Sequence, residues 1–235
     1  MTKAVTVVTG ANGALGAAMV ARLAADQAVI ALERSKTGDA VVSRVGANVV
    51  KVQANVSDPR ALTSALSRAE GELGAITGAV LTAGAWRGGN EFAEEQAAAD
   101  FRVVMEANLD SANVALRAIL PGLVQRKHGS IVLVGSLSGV RPFAAPGDAA
   151  YAASKAALTA LAQAIAAEVL ASGVRVNLVL PSTIDTDANR KAMPDADHSR
   201  WVTTDSLADV VGFLLSEKAR DISGAAVPVY GRVNV

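Results

Sequence analysis

The chain reads as an α/β protein, one doubly wound parallel sheet of about seven strands with helices on both faces, and three observations point that way. Short β-branched runs alternate with longer Ala-rich segments, the first run leads straight into a glycine-rich turn, and 51% of residues are hydrophobic while 3% are aromatic. A core of Ala, Val, Leu and Ile suits helices lying close against buried parallel strands. All 235 residues are expected to form one domain.

The elements follow in order. "AVTVVT" (4–9) is the first strand, and "TGANGALGAA" (9–18) turns it into a helix over 14–26. "AVIALE" (28–33) and "NVVKV" (48–52) are the next strands, and a helix over 59–70 has Asp58 as N-cap with Pro59 at its first position. "AVLTA" (79–83) precedes the helix "FRVVMEANLDSANVALRAIL" (101–120), and "SIVLVGS" (130–136) is a strand ending at Ser136. The longest helix is "YAASKAALTALAQAIAAEVLASG" (151–173), closing at Gly173, and "RVNLVLP" (175–181) and "AAVPVY" (225–230) complete the strands. Two stretches look irregular, 141–150 and 185–201, and the second is expected to be a substrate lid. The β-α-β order implies right-handed crossovers and therefore a Rossmann-type sheet.

Composition excludes several partners. There are 22 basic and 22 acidic residues, interspersed, so no basic surface selects a nucleic acid. The chain has no cysteine, and its two histidines, His128 and His198, lie far apart in polar segments, so no metal site is expected. "MTKAVTVVTG" does not read as a signal peptide, and no apolar stretch is expected to span a membrane; a cytoplasmic protein is the expectation.

The glycine turn sits where open α/β sheets bind ligands. Its glycines, Gly10, Gly13 and Gly16, follow G-x-x-G-x-x-G spacing and not the G-x-G-x-x-G of the usual dinucleotide fingerprint. Glycine lets backbone approach a pyrophosphate, and the helix start offers free N–H groups, so Gly10, Asn12, Gly13, Ala14, Leu15 and Gly16 are cofactor-binding candidates. Glu33, at a strand exit, can accept from both ribose hydroxyls and would repel a 2′-phosphate, whereas Arg34 could attract one. NAD(H) is favoured, with NADP(H) possible.

At the other end, Tyr151 and Lys155 stand four apart on one helix face. A lysine ammonium, with a nicotinamide cation nearby, would lower the phenol pKa and suit Tyr151 to acid-base work. With Ser136, with Asn108 on the preceding helix, and with the glycine turn and "LTAGAW" (81–86), these residues resemble the short-chain dehydrogenase/reductase family over essentially the whole chain. The resemblance implies a catalytic set of Ser136, Tyr151, Lys155 and Asn108. Tyr151 would pass the proton, Ser136 orient the substrate, Lys155 hold the nicotinamide ribose, and Asn108 hold a relay water. Ser138 competes for the serine role. The resemblance also assigns cofactor contacts to Asn55, Val56, Ala83, Gly84, Pro181, Thr183, Ile184 and Thr186, although Ser182, Asn55 and Thr82 replace the family's commoner Gly, Asp and Asn. It implies a homodimer or homotetramer packed through 100–120 and 151–171.

A narrower likeness exists. "GANGALG", "AGAWRGGN" (83–90) and "LPSTIDTDANRKAMPDADHSRW" (180–201) are similar to the dihydropteridine reductase branch, which uses NADH on quinonoid dihydropterin and typically lacks the serine. Ser136 therefore points toward a ketone or alcohol, and Trp86 could stack on a flat heterocycle. The readings are an NAD(P)(H)-dependent oxidoreductase on a small carbonyl, alcohol or dihydropterin, a 3-oxoacyl-thioester or other ketone reductase, or a non-catalytic dinucleotide-binding regulator.

Overall fold

The computed structural model describes residues 3–34, 41–54 and 58–233. Its strands are β1 (Val5–Thr9), β2 (Ala28–Arg34), β3 (Val41–Arg44), β4 (Val49–Ala54), β5 (Gly78–Leu81), β6 (Gly129–Val134), β7 (Val174–Pro181), β8 (Ile184–Asp185), β9 (Val202–Thr203) and β10 (Ala226–Val229). The helices are α1 (Ala14–Ala24), α2 (Pro59–Leu73), α3 (Glu95–Met105), α4 (Ser111–Arg126), α5 (Leu137–Val140), α6 (Ala149–Val169), α7 (Asp187–Ala192) and α8 (Thr204–Leu215).

The main sheet has eight strands in the order β10-β7-β6-β5-β1-β2-β4-β3, and β8 and β9 form a small parallel pair beside it. All seven expected strands are present. The additional one, β3, is antiparallel to β4 at the edge, and because its residues are mostly exposed it carries no buried apolar run to reveal it.

Residues β1, β5 and β6 contribute are buried throughout, which is why they read as continuous apolar runs. Successive side chains serve opposite faces. Val5, Val7, Ile30 and Leu32 join Leu62, Leu116 and Leu158 on the side of α2, α4 and α6, while Val8 and Val29 join Met19, Leu207 and Val211 on the side of α1 and α8. The result is a three-layer α/β/α sandwich.

Helix boundaries follow local chemistry. Asp58 caps α2 by accepting from the N–H groups of Arg60 and Ala61, as expected. The expected helix 101–120 is helical throughout, with α3 running into α4 through a π-helical turn at Glu106–Asp110 that contains Asn108. The segment 185–201 is also more ordered than its sequence suggests, since it holds α7, a 3₁₀ turn at His198–Arg200 and the β8–β9 pairing.

One expectation on membranes needs correcting. The helical stretch Ala149–Ser172, 24 residues, is long and apolar enough to cross a bilayer by length and composition. Its buried residues, including Leu158, Ala162, Ala166 and Val169, pack in the same core as β6 and β7, so its apolarity is that of a core helix.

Asn177 of β7 is a fully buried polar residue that ties β7 to the approach to β10. Its amide donates to the Ile222 carbonyl (2.8 Å) and its oxygen accepts from Ala225 N–H (3.0 Å). Asn177→Ala leaves the Ala225 N–H without a partner and the Ile222 carbonyl with only a long bond from Arg175 (3.4 Å), and unfolding in denaturant is expected to show a loss of about 1–3 kcal/mol.

Candidate active site

The strand order reverses between β5 and β1, so their carboxyl ends lie side by side and their connections depart in opposite directions. Two threonines tie these exits together. Thr82 Oγ1 donates to the Thr9 carbonyl (2.5 Å), and Ala83 N–H donates to Thr9 Oγ1 (3.2 Å).

The three glycines have different reasons. Gly10 has φ +64°, and a Cβ there would lie 3.0 Å from Ala83 Cα; a Cβ on Gly16 would lie 2.1 Å from the Gly10 carbonyl oxygen. The chain itself demands both. A Cβ on Gly13 would meet only the Gly10 carbonyl oxygen at 3.4 Å, an ordinary contact, so Gly13 is not needed for packing. It N-caps α1 without a side chain and no acid stands in the first turn, which leaves the opening N–H groups of Ala14, Leu15 and Gly16 available. Asn12, Gly13 and Ala14 are exposed, while Leu15 packs on the α1 and α8 side of the core. Such a cradle fits a pyrophosphate.

Glu33 and Arg34 diverge at the end of β2. The Glu33 carboxylate is ion-paired with Lys51 (2.8 Å) and accepts from Gln53 Nε2 (3.3 Å), whereas Arg34 reaches Glu106 (3.2 Å) in an exposed pair. Neither Lys51 nor Glu106 was singled out from sequence. Their partnership follows from β2 pairing with β4 and from α3 lying nearby. Asn55 and Val56 lie outside the described residues.

On α6, Lys155 is buried and its Nζ donates to the Val134 carbonyl (2.8 Å), 5.8 Å from the centre of the Tyr151 ring. Burial pulls the ammonium pKa down to about 8. The Tyr151 phenol pKa is raised, chiefly by burial, with the nearby Ser136 hydroxyl opposing and Asp148 adding to the rise. Lys155, whose ammonium donates to the Val134 carbonyl, is not among the groups that shift the phenol. The phenol is thus held protonated.

Ser136 lies two residues beyond β6, not on it, and N-caps α5 by accepting from Ser138 N–H (3.2 Å). Ser136, and not Ser138, is the serine whose hydroxyl lowers the phenol pKa. A Cβ on Gly139 would lie 2.8 Å from the Lys155 carbonyl carbon, so α5 rests directly on α6 and sets Ser136 against Tyr151.

Asn108 is fully buried. Its oxygen accepts from Ala85 N–H (2.8 Å), and its amide donates to the Ala85 carbonyl (3.0 Å) and Ser154 Oγ (2.9 Å). Both amide protons are taken, so the side chain clamps the loop after β5. Gly84 lets this happen: a Cβ there would lie 2.5 Å from Asn108 Oδ1 and 3.6 Å from Lys155 Nζ.

Pro181 ends β7. Beyond it, the Thr183 carbonyl accepts from Val202 N–H (3.0 Å), the Ile184 carbonyl from Asn189 Nδ2 (2.8 Å), and Thr186 Oγ1 N-caps α7 through Asn189 N–H (3.2 Å). Trp86, on the loop after β5, donates its indole N–H to Asp148 (3.0 Å), a residue not singled out from sequence although an Asp just before Y-x-x-x-K marks it. Among the described residues no group of three metal-ligating side chains occurs.

A glycine cradle at the reversal point and a serine, tyrosine and lysine gathered beside it define a dinucleotide-dependent oxidoreductase. The chain belongs to the short-chain dehydrogenase/reductase family: residues 4–197 match the family's model, described as short chain dehydrogenase. It is an NAD(P)-dependent oxidoreductase of that family. The chain is 31% identical to the 3-oxoacyl-[acyl-carrier-protein] reductase FabG of Escherichia coli strain K12, over 97% of this chain and 96% of that one. It is likewise 31% identical to the acetoacetyl-CoA reductase of Synechocystis, over 97% and 95%. Among solved structures it is similar to an oxidoreductase of the short chain dehydrogenase/reductase family from Burkholderia thailandensis, with TM-score 0.83 and 33% identity over 98% and 92% of the chains. None of these three is named as a dihydropteridine reductase, so the narrower likeness rests on its motifs alone.

Burial of Lys155 has a measurable consequence. Its pKa, about 8 when folded against an ordinary 10.5, means that the unfolded chain binds the proton more tightly between those values. Stability contributed by this residue therefore rises as pH goes from 8 to 10.5. In denaturant titrations of the protein without dinucleotide, the stability of wild type relative to Lys155→Met is expected to increase by about 3 kcal/mol across that window.

Proposed function

We propose that the protein is a reductase of small ketones, with 3-oxoacyl thioesters the leading substrate class. One observation carries this: Gly139 lets α5 rest on α6, so Ser136 at the N-cap of α5 is set close to the Tyr151 phenol, and a carbonyl oxygen entering there meets two O–H groups. With an ordinary pKa near 10 that burial raises, the phenol is protonated at neutral pH and can donate to a carbonyl oxygen. The two named reductases, which share 31% identity with the chain, support the same substrate class.

A nicotinamide dinucleotide held along Gly10–Gly16 would supply the hydride that reaches the carbonyl carbon. Tyr151 gives the proton that completes the alcohol, Ser136 orients the oxygen, and Lys155 holds the nicotinamide ribose. Asn108 positions the loop carrying Ala83 and Gly84, and Thr183, Ile184 and Thr186 line the nicotinamide end. The ordered segment 185–201 serves as the lid. Copies of the chain associate as a homodimer or homotetramer, and exposed Phe101 and Val103 on α3 are suited to such a contact.

Reduction of quinonoid dihydropterin is the second reading. Trp86 favours it, being 58% exposed on the loop beside the site and fixed in place by Asp148.

With a panel of 3-oxoacyl thioesters, quinonoid dihydropterin, quinones and simple ketones, nicotinamide oxidation is expected with the thioesters above all. Tyr151→Phe is expected to lower kcat on the working substrate by at least about 100-fold while dinucleotide still binds. Tight dinucleotide binding with no turnover on any substrate would instead favour a regulator.

NAD(H) is the favoured cofactor, because a carboxylate at the exit of β2, here Glu33, would repel a 2′-phosphate. Lys51 tempers this repulsion, and Arg34 is held by Glu106. Glu33→Gln is expected to raise the NADPH to NADH ratio of kcat/KM by roughly tenfold, and Glu106→Ala, which frees Arg34, to raise it further.

A further inference from the structure

We propose that Asp148 sets the substrate class of this site: its carboxylate, pinned by the Trp86 indole beside Tyr151, admits neutral or N–H-bearing carbonyl compounds and refuses those with a carboxylate near the reacting carbon. The inference rests on the reading of Tyr151 as proton donor.

Aspartate is among the strongest helix N-caps. Asp148 occupies that position on α6, yet its side chain makes no capping bond. It turns instead to Trp86, whose indole N–H donates to Oδ1 at 3.0 Å. The surrounding backbone is shaped to permit this. A Cβ on Gly88 would lie 2.3 Å from that same oxygen and 3.0 Å from the indole ring. Gly89 N–H donates to the Gly147 carbonyl (3.1 Å), and both glycines have positive φ, +88° and +82°. The loop after β5 and the loop before α6 are therefore latched together next to the phenol.

The latch leaves a charge uncompensated. Among the described residues no lysine or arginine pairs with Asp148, and no donor reaches its second oxygen. The carboxylate is partly withdrawn from water, and its charge is felt at Tyr151, whose phenol it helps to keep protonated. A substrate carboxylate brought to the same place would be repelled through partly desolvated surroundings, where an effect of tenfold or more is on the order expected at contact range. An amide N–H, by contrast, could donate to the free oxygen.

The test compares methyl acetoacetate, acetoacetamide and acetoacetate, which share one ketone. Wild type is expected to reduce the ester and the amide with kcat/KM at least about tenfold above the carboxylate. Asp148→Asn, which can still accept from Trp86, and Asp148→Ser, a neutral residue able to cap α6, are both expected to bring the ester to carboxylate ratio within about twofold of unity. Trp86→Phe retains the charge and is expected to retain most of the discrimination. An unchanged ratio in both Asp148 variants overturns the proposal, as does its loss in Trp86→Phe to the same extent as in Asp148→Asn. Calorimetric titration of the three probes into the dinucleotide complex separates this from failure of the reductase reading. If wild type turns over no probe, that reading fails, and equal binding of ester and carboxylate then overturns the charge selection, whereas tighter ester binding that Asp148→Asn abolishes upholds it.

Discussion

The site depends on a backbone contact that leaves no room for a side chain. Helix α1 begins so close to the end of β1 that a Cβ on Gly16 would lie 2.1 Å from the Gly10 carbonyl oxygen. That proximity aims the start of α1 across the sheet edge at the point where β1 and β5 part. The Thr9 and Thr82 pair then holds the two exits at a fixed separation, so the loop carrying Ala83 to Trp86 leaves on the far side of the same crevice.

The chemical half is built on α6 in a comparable way. Gly139 lets α5 rest on α6, and this places Ser136, which caps α5, in contact with Tyr151. Burying the Lys155 ammonium costs stability, and the Val134 carbonyl offsets only part of that cost. A buried cation held at the strand exit is what a core helix alone would avoid. The π turn around Asn108 serves the same end, since it delivers a fully buried amide to Ala85 and Ser154 together.

Much of this was legible from residues alone. Each buried parallel strand is a short apolar run, so its position could be read; β3 could not, because an exposed edge strand has neither a run nor an alternation to reveal it. The apolar run suggests that β6 reaches Ser136, whereas the strand ends at Val134 with one further backbone bond, from Gly135 N–H to the Val179 carbonyl (2.9 Å). The π turn was hidden for a related reason. Its residues keep helical backbone angles, so nothing in their pattern marks the wider turn.

The sequence by itself determined the β-α-β order, the glycine turn and the spacing of Tyr151 and Lys155, because each is a local property of strand, turn or helix. Tertiary structure alone decided the partners that give these residues their character. Lys155 meets Val134 across 21 residues, Ala85 meets Asn108 across 23, and Trp86 meets Asp148 across 62. Such pairings exist only after the sheet has brought its carboxyl ends together, so charge, protonation and selectivity at the site belong to the assembled fold.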